Sequence, residues 1–145
     1  MKKDSFDKFV DELQEEIIKQ ELEEFNETIV NLFHNPKNWG KLEDSDISVE
    51  HSYLGPCGDT MRFFLNINRD GIIEKANFIT DGCGASVATG SQTTMMIQGK
   101  TIEDAKKLTP EEIDNALDGL PDDHKHCAEL AVRTLRQAIQ KYKKH

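Results

Sequence analysis

A chain of 145 residues, 37% hydrophobic and 31% charged, is long enough for one domain with a core of its own, because folding at this size hides about 70% of the unfolded surface. The composition is not that of a disordered chain, and no segment approaches the ~20 apolar residues that a bilayer demands. A formal net charge of −9 argues against nucleic acid, whose phosphates it repels, and against an anionic membrane.

The opening Met1-Lys2-Lys3-Asp4-Ser5-Phe6-Asp7-Lys8 has basic residues with no apolar run behind them. A secretory signal is therefore not expected, and a cytoplasmic location is. From Ser5 to about Phe33 the apolar residues Phe6, Phe9, Val10, Leu13, Ile17, Leu22, Phe25, Ile29, Leu32 and Phe33 recur at three- and four-residue steps, which predicts helix. Asp4 or Ser5 is the expected N-cap. Asn26 and the acidic run before it are possible break points, and Asn35-Pro36 ends the pattern, because the residue before proline is pushed out of the helical region. An irregular polar stretch then leads to a short strand over Val49–Leu54.

Gly55-Pro56-Cys57-Gly58-Asp59 reads as a turn. After it, Met61, Phe63, Leu65 and Ile67 alternate with Arg62, Phe64, Asn66 and Asn68, the period of a strand. Asp70-Gly71 signals a hairpin, and Ile72–Thr80 is the returning strand of an antiparallel sheet. Asp81-Gly82-Cys83-Gly84 closes that strand. A helix follows to about Gln98, with Gly99 as its stop. Thr101 and Thr109 look like caps of two short helices with acidic first turns, and Gly119-Leu120-Pro121 breaks the chain. A last helix runs from about His126 to Lys141. Strands in the middle and helices at both ends make an α+β domain.

The chemistry lies in the cysteines. Three thiols cannot all pair within one chain, and a reducing compartment keeps them free. Cys57 sits in a turn, Cys83 where a strand yields to a helix, and Cys127 at the start of the last helix. None falls on a clear core position of a periodic stretch. At helix N-termini Cys83 and Cys127 are expected to have lowered pKa values, since the helix dipole favours the thiolate. Asp59 lies two residues after Cys57 and His126 immediately before Cys127, so three sulfurs and an oxygen or nitrogen donor would complete a tetrahedral set for zinc or for cluster iron. A single such cysteine is often only a small buried hydrophobe; three in turns, two with a polar donor adjacent, are not explained that way. The spacings are far from those of zinc fingers. His34, His51, His124 and His145 carry no comparable constellation and read as surface residues.

Pro56-Cys57-Gly58-Asp59, Gly82-Cys83-Gly84-Ala85-Ser86 and His126-Cys127-Ala128-Glu129-Leu130-Ala131 together resemble the three motifs of the IscU/NifU-type iron–sulfur cluster assembly scaffolds (the NifU N-terminal domain family). Phe25-Asn26-Glu27, Asn35-Pro36-Lys37-Asn38-Trp39-Gly40-Lys41-Leu42 and Gly99-Lys100-Thr101-Ile102-Glu103-Asp104-Ala105 are similar to the family's opening and middle segments. The likeness runs from about Phe25 to Tyr142. It implies a three-stranded antiparallel sheet packed with helices from both ends of the chain, a SufE/NifU-like fold. It implies a scaffold and carrier, not an enzyme, on which a transient 2Fe–2S cluster is built from iron and from persulfide sulfur delivered by a cysteine desulfurase, then passed to apo-protein recipients. Cys57, Cys83 and Cys127 would be ligands, Cys127 the persulfide acceptor. Asp59 would hold iron early and keep the cluster labile, and His126 would lie at the edge of the site.

Two other uses of the same fold stay open: a zinc-binding protein, and a sulfur acceptor or sulfurtransferase. The family's Leu-Pro-Pro-Val-Lys segment, read by a heat-shock-type chaperone, is here Leu120-Pro121-Asp122-Asp123-His124-Lys125, so chaperone assistance is not implied. The basic residue that the family motif places three before the third cysteine is His124. Residues 1–24 precede the family's usual start and are expected to form a helical extension packed on the domain or on a partner, with 25–145 as the scaffold domain.

Overall fold

The computed structural model describes residues 5–144; the cap expected at Asp4 and the surface position expected for His145 lie outside them. In chain order come α1 (Ser5–Glu24), α2 (Glu27–His34), β1 (Val49–Leu54), β2 (Thr60–Ile67), β3 (Ile73–Thr80), α3 (Gly84–Ile97), α4 (Ile102–Lys106), α5 (Pro110–Ala116) and α6 (His126–Lys143), with 3-10 turns at Asp44–Asp46 and Asp122–His124.

The three strands form one antiparallel sheet in the order β1-β2-β3. The period-two pattern of β2 sets which face is buried. Met61, Phe63 and Leu65 stand beside Thr80, Phe78 and Ala76 across the β2–β3 pairing, and all but Thr80 belong to one apolar core. α6 packs on β1 and β2, while α3 packs on β3. Phe64 departs from the expected alternation: it points to the opposite face and is nevertheless buried, with the Arg62 guanidinium 5.5 Å from its ring centre.

α3 is the central helix and is buried nearly all round, so it carries small residues in place of one apolar stripe. Its hydroxyls are satisfied from within: Thr89 donates to the Ala85 carbonyl at 2.6 Å, and Thr93 to Thr89 at 2.7 Å. The helix lies so close to the sheet that a Cβ at Gly90 would fall inside 3 Å of the Phe78 ring. Asn26 is indeed the break in the N-terminal helical stretch. Its side chain accepts from the Ile29 N–H to cap α2, and its amide donates to the carbonyls of Leu117 and Gly119 at 2.9 and 3.0 Å. Thr101 and Thr109 cap α4 and α5 as expected.

The apolar stripe of α1 is left largely exposed. No residue of α1 is buried, and Phe6 is 70% exposed and Phe9 60%. Helical period alone shows that a stripe exists, not what covers it.

Candidate metal centre

Three chain reversals meet at the end of the sheet where β1, β3 and the 3-10 turn before α6 come together. In the β1–β2 turn the Gly55 N–H donates to the Asp59 carbonyl at 2.9 Å, and the Gly58 N–H to the Gly55 carbonyl at 3.0 Å. Closing so tight a loop requires φ of +92° at Gly58, a region open to glycine at little cost. The turn leaves Cys57 exposed and Asp59 half-buried beside it. Cys83 is the residue before α3 and has extended backbone there, with φ −73° and ψ −177°. Gly82 lets this segment approach α3, for a Cβ there would be 2.7 Å from Ser86 Cβ. Cys127 is the second residue of α6 and is fully buried.

The ligating atoms form two neighbouring corners. Cys83, His124 and Cys127 offer atoms all within 4.8 Å of one another, and so do Cys57, Asp59 and His126. The corners are joined through the adjacent residues His126 and Cys127, whose Nε2 and Sγ lie 3.8 Å apart. They are joined again by Ser86, whose buried hydroxyl lies 3.5 Å from the Asp59 carboxylate and 3.4 Å from the Cys127 sulfur. On the Cys57–His126 side a groove of about 810 Å³ opens along α6, past Tyr53, Arg133 and Arg136. A set of thiolates with one carboxylate and imidazoles suits iron or zinc and is too soft for magnesium or calcium.

Cys83 and Cys127 titrate in opposite senses. A hydrogen bond from the Cys127 thiol holds Cys83 down to about 5, assisted by the Ser86 and Ala85 amides at the start of α3 and by His124, and opposed by burial. Cys127 is pushed above the ordinary thiol range, first by that same hydrogen bond to Cys83 and then by burial. The pair thus shares one proton, with the charge on the exposed sulfur. The lowered pKa expected at Cys83 is present. At Cys127 the expectation fails, because burial and a neighbouring thiolate outweigh the helix dipole. Cys127 is also a core residue, contrary to its reading as a turn residue off the core.

All five residues singled out in the sequence, Cys57, Asp59, Cys83, His126 and Cys127, are therefore brought together. Two others were missed. His124 is not a surface residue: its Nδ1 is 3.7 Å from Cys83 Sγ, and its side chain is only 18% exposed. The signal lay in its place three residues before Cys127, one turn of chain away. Ser86 appeared in the second motif, but only packing shows that its hydroxyl lies between the two corners.

Residues 24–145 match the family described as "NifU-like N terminal domain". The chain is 42% identical over 118 residues to "Iron-sulfur cluster assembly scaffold protein IscU 1" of Archaeoglobus fulgidus, covering 81% of this chain and 76% of that protein. It is 40% identical over 120 residues to the IscU scaffold protein of Aquifex aeolicus, covering 82% and 76%. Against that of Escherichia coli strain K12 the identity is 34% over 121 residues, covering 82% and 94%. Among solved structures, a NifU-like protein (N-terminal) from Brucella abortus superposes with a TM-score of 0.62 at 16% identity, covering 82% of this chain and 94% of that one. That likeness is one of fold.

Proposed function

We propose that this chain, which belongs to the NifU-like N terminal domain family, is a scaffold on which a 2Fe–2S cluster is assembled and from which it is transferred. The convergence of three cysteine-bearing reversals with a carboxylate and an imidazole carries the reading. Cys57, Cys83 and Cys127 are the sulfur ligands, with Asp59 and His126 as the oxygen and nitrogen donors. Iron and sulfide are cargo, so the protein acts as a carrier and has no turnover of its own beyond accepting sulfur.

A cysteine desulfurase supplies the sulfur in this proposal, and Cys127 accepts it. The Cys127 proton passes to the adjacent Cys83 thiolate, and the freed Cys127 thiolate attacks the terminal sulfur of the donor's persulfide. A Cys127 persulfide forms as the donor's S–S bond breaks, leaving the donor cysteine as thiolate. Ferrous iron from a donor enters where Asp59 and the exposed Cys57 and Cys83 face outward. A carboxylate among thiolates makes one weak corner, which suits delivery to apo-protein recipients better than storage. Leu120 is packed in the core, and release is proposed to proceed without the chaperone-docking segment. Residues 1–24 are proposed to be an extension and 25–145 the scaffold domain, since α1 buries none of its residues.

Anaerobic incubation with ferrous iron, L-cysteine, a cysteine desulfurase and excess dithiothreitol, which supplies the remaining electrons that bring persulfide sulfur to sulfide, tests the reading. Visible sulfur-to-iron charge-transfer bands should appear with the wild-type protein and be lost in Cys57→Ser, Cys83→Ser and Cys127→Ser. No bands with wild type would overturn it, and full bands with Cys57→Ser and Cys83→Ser would reduce the role to sulfur transfer through Cys127.

A further inference from the structure

On the scaffold reading above, we propose that His124 is itself a metal ligand, completing with Cys83 and Cys127 a second iron-holding corner beside the one at Asp59, and that Glu24 at the end of α1 positions it. The two nitrogens of the ring have separate partners. Nδ1 faces Cys83 Sγ at 3.7 Å, close to the ~3.6 Å between sulfur and nitrogen expected when bonds of about 2.3 and 2.0–2.1 Å meet at one tetrahedral metal. Nε2 lies 3.2 Å from the Glu24 carboxylate, with Asp123 farther off at 3.9 Å. A carboxylate on the outer nitrogen is the usual support of a metal-bound histidine: it holds the proton on Nε2 and directs the other lone pair inward.

The ring is also fixed by packing. Phe25 lies against it at 5.1 Å between centroids, and His126 stacks beside it at 6.3 Å. Cys83, His124 and Cys127 then offer two sulfurs and one nitrogen within a 4.8 Å span, three of the four donors that a tetrahedral metal takes. On binding, the Nδ1 lone pair goes to the metal, and any proton held there leaves to solvent. Because Glu24 belongs to α1, whatever displaces that helix loosens the ligand.

The test uses the full chain without oxygen. Cobalt(II) replaces ferrous iron as the optical probe, and zinc(II) serves for nitrogen NMR of the histidine rings. The expected results are a metal-bound shift at His124 Nδ1 in the zinc-loaded wild type, cobalt binding at least about tenfold weaker in His124→Ala, and about tenfold weaker in Glu24→Gln with His124 populating both tautomers. The NMR readout on wild-type protein does not depend on whether a variant folds. An unshifted His124, or a shift at Nε2 in place of Nδ1 (metal held outside by Glu24 and Asp123), overturns the proposal. If wild type and His124→Ala bind cobalt equally through thiolates and both build a cluster, His124 is not a ligand while the scaffold reading stands. If wild type shows no thiolate-to-cobalt charge transfer and builds no cluster, both readings fall.

Discussion

Alkylation of the folded protein should reveal the charge asymmetry of the two inner cysteines through its pH profile. With Cys83 held at about 5, about 97% of it is thiolate at pH 6.5, against about 1% of an ordinary thiol near 8.5. Charge is not the whole rate: a Brønsted slope of 0.4–0.5 over ~3.5 units makes each Cys83 thiolate about 25–60-fold less nucleophilic. The two effects nearly cancel at pH 6.5, where Cys83 should react about two- to fourfold faster than an ordinary thiol, and at pH 8.5 the second wins, leaving Cys83 about 12- to 30-fold slower. Partial burial scales these rates at every pH alike, so the slope is the signature. Between pH 6.5 and 8.5 the Cys83 rate should be flat, while the same cysteine in urea climbs about 50-fold. The assay is brief exposure to iodoacetamide, quenching, and mass spectrometry of the peptides containing Cys57, Cys83 and Cys127. Cys127, buried and holding its proton, should react far more slowly than Cys83 while the protein stays folded. Cys127→Ala removes the largest cause of the shift and should restore a rising Cys83 profile. A roughly 50-fold rise at Cys83 in folded wild type would refute the shared-proton account.

Asp59→Ala should slow the loss of a reconstituted cluster to a chelator several-fold, followed by the decay of its visible absorption, because the hard oxygen donor is removed from a soft set; faster loss would contradict its role as the weak corner. Gly90→Ala should cost about 1–3 kcal/mol in chemical denaturation, since the added methyl must push α3 from Phe78 or shift the ring. Asn26→Ala removes the α2 cap and strips two carbonyls of their donor, and should cost about 2 kcal/mol by the same measurement. Removing residues 1–24 should move the thermal midpoint by no more than about 2–4 °C, because α1 buries nothing; a large drop would show that the helix belongs to the folding unit.

Much of the fold was readable because its determinants are local. The strand Val49–Leu54, the hairpin after Asn68, the break at Asn26 and the caps at Thr101 and Thr109 depend on residues within a few positions of each other. The site was readable for a related reason. Cys57, Cys83 and Cys127 each occupy a reversal marked by glycine, proline or a helix start, and a polar donor stands next to two of them. The α1 stripe is read correctly as helix, but helical period reports an apolar face and not its partner. Phe64 misled because alternation assumes that one face of the sheet is wet.

From its residues alone the chain specified the α+β class, the order of its elements, its family resemblance and the five candidate donors Cys57, Asp59, Cys83, His126 and Cys127. Tertiary structure alone decided that Cys127 is buried and keeps its proton while Cys83 carries the charge, that Ser86 links the two corners, and that His124 faces a thiolate with Glu24 behind it. The reason is one of range. Backbone preferences and capping act over three or four residues, whereas desolvation and ligand geometry depend on atoms brought within a few ångströms from positions up to a hundred residues apart.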